Sequence, residues 1–270
     1  MRITIVIPIY KQMPNKYELL SFLQCLKILN RYKFSLVIPS GLNVEFYLNY
    51  LKKMNILYSL EEFDSSFFSN INGYNKLMLS QLFYNQFKHS DYILIYQLDS
   101  FVFKDELEKW CNLGYDYIGA PWLFVKKKIY FVGSGNGGFS LRNPKKIIEY
   151  LDSGVLKMNI WGYWNLYSNY NFLKKFIRIP KILLTTFGYK NNKSYYITRI
   201  GFNEDYVFGY IPNYSKDKLK IAPANIALQF AFDIYPNILF EKNNKKLPFG
   251  CHGWYKFDEN LSFWKQFIEI

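Results

Sequence analysis

Cysteine is scarce in this chain, and its scarcity limits the classes of protein to which the chain can belong. The three cysteines, Cys25, Cys111 and Cys251, are far apart in the sequence. Disulfide-rich secreted domains and zinc-binding modules need more cysteines at closer spacing. The pattern therefore indicates buried thiols in a reducing compartment.

Long apolar runs are also missing. No stretch reaches the roughly 20 apolar residues that a transmembrane helix needs. The apolar run at residues 3–7 is too short for a signal peptide, and no small-residue cleavage site follows it. We therefore expect a cytoplasmic protein, either soluble or peripheral at the inner face of the plasma membrane.

Acidic residues are outnumbered by basic ones, which gives a net charge of +13. Such an excess of positive charge favours an anionic partner, for example a nucleic acid, a phospholipid or a phosphorylated small molecule. No nucleic-acid-binding motif accompanies the charge, and this argues against DNA and RNA.

Over the first hundred residues, strand-like and helix-like patterns alternate. Strands are predicted at residues 3–7, 34–38, 56–60 and 92–96, and helices at residues 17–29, 44–54 and 75–87. The alternation predicts a parallel, doubly wound sheet flanked by helices. The second half is less regular and shows no repeat or linker, so one compact domain is the simplest interpretation.

In such sheets, ligands bind beyond the carboxyl ends of the strands. Residues 8–10 follow the first predicted strand, and residues 97–100 follow the last. Asp99 is notable because an acid at the end of a buried strand is costly to desolvate without a positive partner, such as a divalent cation. By spacing alone, a cap of the following turn is an equal alternative.

Histidine is rare too. His89 lies at a polar helix end and is interpreted as incidental, whereas His252 lies between two glycines in an aromatic turn. A single histidine is more often a hydrogen-bonded structural residue than a ligand. Its pairing with Asp99 is what favours a role in metal binding.

Two adjacent acids, Glu204 and Asp205, open an apolar segment. They either stabilise a helix N-terminus or supply a general base that takes a proton from an acceptor hydroxyl. Neighbouring carboxylates raise each other's pKa, which suits a base.

The glycine-rich loop at residues 133–138 is neither a Walker A loop nor a dinucleotide-binding fingerprint. Its glycines would let the backbone approach a ligand closely. A plain hairpin turn is the stronger interpretation of the loop when it is taken alone.

A basic stretch covers residues 153–203, which contain no Asp or Glu. Its cations include Lys174, Lys175, Arg178, Lys181, Lys190, Lys193 and Arg199. Three interpretations of the segment at residues 172–186 stay open. It contacts an anionic membrane surface, it grips a phosphorylated lipid-linked or lipopolysaccharide acceptor, or it is a solvated lysine-rich face over a core helix.

Five segments, in order, resemble a family of largely uncharacterised bacterial and fungal glycosyltransferases. They are YQLDSFVF (96–103), YDYIGAPW (115–122), GNGGFSLR (135–142), NED (203–205) and PFGCHGW (248–254). The first is similar to the strand-end acidic motif of GT-A glycosyltransferases. The resemblance implies a GT-A fold, which is Rossmann-like with a mixed, mainly parallel sheet flanked by helices. It also implies a nucleotide-sugar donor, usually a UDP-sugar, and a Mn²⁺ or Mg²⁺ ion.

The resemblance also assigns roles to residues. GT-A enzymes hold the ribose and the metal with an Asp-x-Asp motif, whose last Asp binds the metal. Here the triplet is Gln97-Leu98-Asp99. The resemblance therefore implies that Asp99 and His252 bind the metal, and that the uncharged Gln97 contacts the ribose. This departure leaves a metal-independent variant open.

The Glu204–Asp205 pair resembles the acidic motif of inverting galactosyltransferases, which implies that Asp205 is the base and that Glu204 holds the acceptor. The donor pocket implied by the resemblance also includes Pro8, Ile9, Tyr10, Tyr74, Asn75, Leu98, Ser100, Gly137 and Gly138.

These expectations together describe a hexosyltransferase that moves a sugar to a hydroxyl of a glycan or lipid-linked acceptor with inversion, in the synthesis of bacterial surface polysaccharide, lipopolysaccharide or another glycoconjugate. Residues 1–103 form its nucleotide-binding half, and residues 104–270 form its acceptor-binding and catalytic half. A retaining transferase on the same fold and a non-catalytic GT-A-like protein that binds glycan or nucleotide are the alternatives.

Overall fold

A computed structural model describes residues 1–125, 129–153, 157–166, 172–192, 195–196, 203–216 and 219–270. Lys193 and Arg199 of the basic stretch lie outside the described residues, as do Gly201 and Phe202, which precede the two acids.

The strands of the described chain are named in order. They are β1 (Ile3–Pro8), β2 (Lys33–Pro39), β3 (Tyr58–Phe63), β4 (Tyr92–Tyr96), β5 (Phe101–Val102), β6 (Tyr117–Ile118), β7 (Pro121–Val125), β8 (Ile129–Ser134), β9 (Phe139–Arg142), β10 (Ala231–Phe232) and β11 (Gly250–Cys251).

The α-helices are named in the same way. They are α1 (Lys16–Ile28), α2 (Glu45–Lys53), α3 (Ile71–Met78), α4 (Gln81–Gln86), α5 (Leu107–Asn112), α6 (Pro144–Asp152), α7 (Ile160–Leu166), α8 (Phe172–Ile177), α9 (Ile179–Thr186), α10 (Glu204–Gly209), α11 (Ala224–Phe230), α12 (Pro236–Lys242) and α13 (Asp258–Trp264). Short 3₁₀ helices cover Ser65–Phe68 and Ile211–Tyr214.

The main sheet has the order β3-β2-β1-β4-β9-β6 among the described residues. Strands β1 to β4 pair in parallel, and β9 is antiparallel to both of its neighbours. The predicted fold class is therefore confirmed, because this is a mixed, mainly parallel α/β sheet flanked by helices.

Both faces of the sheet are covered, which explains why its central strands are almost wholly apolar. Ile5 and Leu94 point to a core shared with Phe22 of α1, on one face. Val6 and Ile95 point to a second core on the opposite face, together with residues of α3, α4 and α6. All residues of β1 and β4 are buried.

Two predicted elements need correction. The helix expected at residues 75–87 is divided into α3 and α4, because the Ser80 side chain accepts a hydrogen bond from Phe83 N at 3.2 Å and so caps a new helix. A serine that bonds to nearby backbone competes with a continuous helix. The third strand lies two to three residues later than expected, because Asn55 has a positive φ of 53° and Ile56 N still bonds to Leu51 O of α2.

The glycine-rich loop is not the turn of a hairpin. Strand β8, before it, pairs with β7, whereas β9, after it, pairs with β4 and β6 of the main sheet. The loop therefore passes from one sheet to another. No helix of the described residues has the length and hydropathy that crossing a bilayer would require.

Candidate functional site

A cavity of about 300 Å³ opens at the carboxyl ends of β1 and β4. These strands are neighbours in the sheet although β2 and β3 lie between them in sequence, so the chain reverses its direction of winding here. Ligands of open α/β sheets bind at such a switch point, and the cavity has the size of a small-ligand site. Its lining comprises Pro8, Tyr10, Glu18, Phe68, Asn70, Ile71, Tyr74, Gln97, Leu98, Asp99, Tyr255 and Lys256.

Six of the eleven residues predicted for the donor pocket line this cavity, whereas Ile9, Asn75, Ser100, Gly137 and Gly138 do not. Ile9 is fully buried in the core. Ser100 is also buried and donates a hydrogen bond to Gly138 O at 3.1 Å. Asn75 lies against residues 203–205, which we call the acidic loop, where it donates to Asn203 Oδ1 at 3.1 Å and accepts from Glu204 N at 3.3 Å.

A small sheet brings distant parts of the chain to the cavity. It has the order β10-β11-β5 among the described residues, with β10 parallel and β5 antiparallel to β11. Asp233 directly follows β10, His252 directly follows β11, and Asp99 precedes β5 by two residues. The pairing of these short strands therefore sets three polar side chains next to one another.

His252 lies between two carboxylates. Its Nδ1 is 3.1 Å from Asp233 Oδ1, and its Nε2 is 3.3 Å from Asp99 Oδ2 and 3.2 Å from Gln97 Oε1. Burial disfavours the charged imidazolium, but attraction to Asp99 and the hydrogen bond to Asp233 outweigh that effect and raise the pKa of His252 to about 10. Without another cation, the ring is therefore positively charged at neutral pH.

Lys256 supplies a second positive charge. Its ammonium group forms an ion pair with Asp99 Oδ2, and its side chain is half exposed at the cavity wall. Burial would raise the pKa of Asp99, but His252 and Lys256 hold it far below its usual range. Asp99 is therefore a buried carboxylate with two cations, and together with Asp233 on the far side of the imidazole the four charges balance.

Asp99 and His252 are side chains of the types that bind divalent cations. Asp99 Oδ2 is a buried oxygen without a hydrogen-bond partner among the described residues, and its contacts are the two cations. Adjacent ligands of an octahedral ion lie about 3 Å apart, which is close to the Asp99–His252 separation. Asp233 behind the ring corresponds to the carboxylate that commonly orients a metal-binding histidine.

The donor set is small. No group of three His, Cys, Asp or Glu side chains able to hold a metal ion occurs in the described part of the chain. Asp233 does not converge with Asp99, because the two face opposite nitrogens of His252. Sites for Mg²⁺ that use one or two protein ligands complete their shell with water and substrate phosphates.

Gly137 and Gly138 connect this cluster to the acidic loop. A Cβ on Gly138 would clash with His252 Nε2 and with Gln97 Oε1, and a Cβ on Gly137 would clash with Glu204 Oε1. Consecutive Cα atoms are 3.8 Å apart, so Glu204 and His252 flank the same short piece of backbone. Glycine is required here because it lets both side chains approach closely.

Glu204 belongs to a buried ion pair. Arg142 is fully buried, and its Nη2 donates to Glu204 Oε1 at 3.0 Å and to Gly137 O at 3.1 Å. Its other nitrogens donate to Ser140 Oγ at 2.9 Å and Tyr84 Oη at 2.8 Å. This network fixes the position of Glu204 at the start of α10.

Asp205, the next residue, is in a different environment. It accepts a hydrogen bond from Tyr206 N at 2.7 Å, and no ion pair is formed by it among the described residues. Loss of hydration, followed by repulsion from Glu204, raises the pKa of Asp205 to about 7, and Asp233 contributes in the same direction. Asp205 can therefore exchange a proton near neutral pH.

Sequence reasoning missed Asp233, Lys256 and Arg142 of the polar clusters, and Glu18, Phe68, Asn70, Ile71 and Tyr255 of the cavity lining. Asp233 is the first acid after an apolar segment, and Lys256 lies four residues after His252, which are weak signals. Arg142 ends the GNGGFSLR segment, yet nothing in the sequence indicates that its side chain is buried.

The family comparison covers most of the chain. Residues 57–252 match a sequence family described as "Protein of unknown function (DUF5672)". The chain belongs to this family. The matched residues include Asp99, Asp205 and His252, and they begin after β1 and β2. No curated protein matches the chain in sequence.

Solved structures that are similar to this chain include glycosyltransferases. Mouse xyloside xylosyltransferase 1 in its apo form has a TM-score of 0.51 and 11% identity, over 95% of this chain and 99% of that chain. A glycosyltransferase involved in the glycosylation of the major capsid of PBCV-1 has a TM-score of 0.43 and 11% identity, over 98% of this chain and 100% of that chain.

S. aureus TarS 1-349 also matches, with a TM-score of 0.36 and 11% identity. The match covers 56% of this chain and spans about half of that chain (49%). The likeness to the mouse enzyme, together with the sheet described above, shows that the DUF5672 chain has the fold of GT-A glycosyltransferases.

Proposed function

We propose that the protein transfers a sugar from a nucleotide-sugar donor, most simply a UDP-sugar, to a hydroxyl of a glycan or lipid-linked acceptor. One observation supports this proposal above all. The switch-point cavity contains a carboxylate flanked by two cations, and two glycines connect that cluster to Glu204, whose neighbour in sequence, Asp205, has a pKa near neutrality.

The cavity suits a nucleoside diphosphate. Tyr10, Phe68 and Ile71 give it an apolar and aromatic wall against which a nucleobase can stack. Lys256, which also lines the cavity, provides positive charge beside Asp99, where a diphosphate would be attracted. In the proposed division of the chain, residues 1–103 contribute most of this donor pocket.

Asp99 and His252 would hold a Mn²⁺ or Mg²⁺ ion, and Asp233 would orient the imidazole. The ion would neutralise the negative charge that develops on the departing nucleoside diphosphate. Lys256 offers the same kind of stabilisation from the protein itself. Gln97, which replaces the usual acid, can accept and donate hydrogen bonds to a ribose.

The proposed reaction is a displacement at the anomeric carbon. Asp205 takes the proton of the acceptor hydroxyl, whose oxygen forms a bond to the anomeric carbon while the bond from that carbon to the phosphate oxygen breaks. The nucleoside diphosphate leaves with the bonding electrons, and the anomeric configuration is inverted. A pKa of about 7 suits Asp205 to this task, because efficient general bases titrate near the working pH.

The product would be a hexosylated glycan or glycolipid of the kind used in bacterial surface polysaccharide or lipopolysaccharide synthesis. One observation favours a second candidate. The neutral Gln97 weakens the acidic triplet, and this is consistent with a protein that binds a nucleotide or glycan without turnover. A retaining reaction is distinguished from an inverting one by the anomeric configuration of the product, which NMR reads directly.

The test is a turnover assay with a panel of UDP- and GDP-sugars, in Mn²⁺ and in EDTA, that measures released nucleotide and product mass. We expect turnover of at least one donor and a loss of about a hundredfold or more in Asp205→Asn. Asp152→Asn changes an exposed acid of α6 and is the matched control. Absence of turnover with nucleotide binding retained would favour the second candidate, and full activity of Asp205→Asn would disprove the assignment of the base.

A further inference from the structure

The surface of α8 and α9 carries an apolar stripe that faces solvent. Its members lie at positions i, i+3 and i+4 of α8, and at positions i, i+4 and i+7 of α9 and the turn after it, so they share one face within each helix. This outer stripe consists of Leu173, Phe176, Ile177, Pro180, Leu184 and Phe187. The most exposed are Phe187 at 87%, Ile177 at 77% and Leu173 at 72%.

The outward orientation is unusual. The apolar stripe of an amphipathic helix normally packs against the core. Here the opposite face of α9 packs inward through Ile182 and Thr185, both of which are 2% exposed. Large apolar side chains that are exposed to water side by side mark a surface that contacts another molecule when the protein functions.

The charge around the outer stripe has one sign. No Asp or Glu occurs between residues 153 and 203, whereas Lys174, Lys181 and Lys190 are exposed beside the stripe. Lys181 follows Pro180 of the stripe directly, and Lys190 lies three residues after Phe187. The segment that carries the stripe therefore combines apolar side chains with cations and contains no acid of its own.

We propose that the outer stripe docks on the surface of an anionic lipid bilayer. The apolar side chains would enter the boundary between headgroups and acyl chains, and the lysines would remain among the anionic headgroups. The two short helices would lie in the plane of the membrane. The inference is independent of the transferase activity, because vesicle binding requires neither donor nor acceptor.

Charge complementarity favours this occupant over a second copy of the chain. Two copies meeting through the stripe would bring acid-free basic segments together, in a protein with a net charge of +13. Like charges that face each other disfavour such an interface. An anionic bilayer provides an apolar interior and a negative surface at the same time, which are the two features that the stripe needs.

Vesicle co-sedimentation tests the proposal. The full chain is mixed with vesicles of phosphatidylcholine alone or of phosphatidylcholine with phosphatidylglycerol, at low and high salt. We expect binding to the anionic vesicles that is about tenfold or more tighter than to the neutral ones. Salt should weaken but not abolish this binding, because it screens charge without affecting apolar insertion.

Matched variants separate the stripe from the general basic charge of the chain. Ile177→Ser with Phe187→Ser should weaken binding about tenfold or more, while Leu57→Ser with Leu82→Ser, two exposed leucines elsewhere, should have little effect. Lys181→Glu with Lys190→Glu should weaken it similarly. The matched charge control is Lys242→Glu with Lys246→Glu, which reverses two exposed lysines outside the basic stretch.

Three outcomes would overturn the proposal. The first is equal binding of the protein to neutral and anionic vesicles. The second is an equal loss of vesicle binding in the stripe variants and in their controls. The third is a protein that does not bind vesicles but forms a dimer in light scattering, and whose dimer is dissociated by the stripe substitutions. Circular dichroism and the melting temperature verify folding of each variant. If the serine variants unfold, the comparison of the two lysine pairs decides the question.

Discussion

Replacing Arg142 should reveal how strongly the buried ion pair supports the acidic loop. Arg142→Met keeps a long side chain but removes the charge, so Glu204, which is 5% exposed, is left as a buried carboxylate without its cation. Removing one partner of a buried pair costs about 3–5 kcal/mol. For a chain of this length the expected decrease in melting temperature is about 5–9 °C.

The assay is urea unfolding of a double-mutant cycle with Glu204→Gln. The double variant should lose less free energy of unfolding than the sum of the single losses, with a coupling of about 2 kcal/mol or more. Arg31→Met is the matched control, because Arg31 is half exposed in its ion pair with Asp105 and its loss should cost about 1 kcal/mol or less. A loss below about 1 kcal/mol in Arg142→Met, or strict additivity with Glu204→Gln, would refute the reasoning.

Three further predictions concern the site. The pKa of Asp205 is raised to about 7, so the folded chain binds a proton that the unfolded chain releases near pH 4. The free energy of unfolding therefore decreases between about pH 4 and pH 7, and Asp205→Asn should recover about 4 kcal/mol at pH 8 but nothing below pH 4, as measured by urea unfolding. An unchanged difference at both pH values would contradict this. Gly138→Ala should displace His252 and reduce turnover about a hundredfold, in a protein that still melts cooperatively; wild-type turnover would contradict the close contact. Lys256→Met should weaken calorimetric binding of a nucleoside diphosphate about tenfold or more, and unchanged affinity would remove Lys256 from the donor site.

The central sheet could be predicted from the sequence because its signals are local. The apolar runs of β1 and β4 are buried on both faces, so their residues identify them without knowledge of their neighbours. Asp99 could be singled out for a related reason, since the ends of parallel strands meet at one edge of a sheet. The division between α3 and α4 could not be predicted, because it depends on one hydrogen bond, from Phe83 N to the side chain of Ser80.

The missed residues depend on contacts between distant segments. Asp233 meets His252 only because β10 and β11 pair, and these strands have two residues each, which is too short for a pattern. Arg142 looks like a surface residue at the end of a strand, and its burial is decided by contacts with Tyr84 of α4 and Glu204 of α10. Periodicity likewise predicts an apolar face in α9 but not the direction in which that face points.

The most direct test of the central claim is a calorimetric titration of UDP and GDP, with and without Mn²⁺, into the wild-type chain and Asp99→Asn. If the switch-point cavity is a nucleotide-sugar site, at least one nucleoside diphosphate binds the wild type, and Asp99→Asn alters the dependence of its affinity on Mn²⁺. If neither nucleotide binds under any of these conditions, or if binding is identical in the two proteins with and without the ion, the assignment of the donor site is wrong.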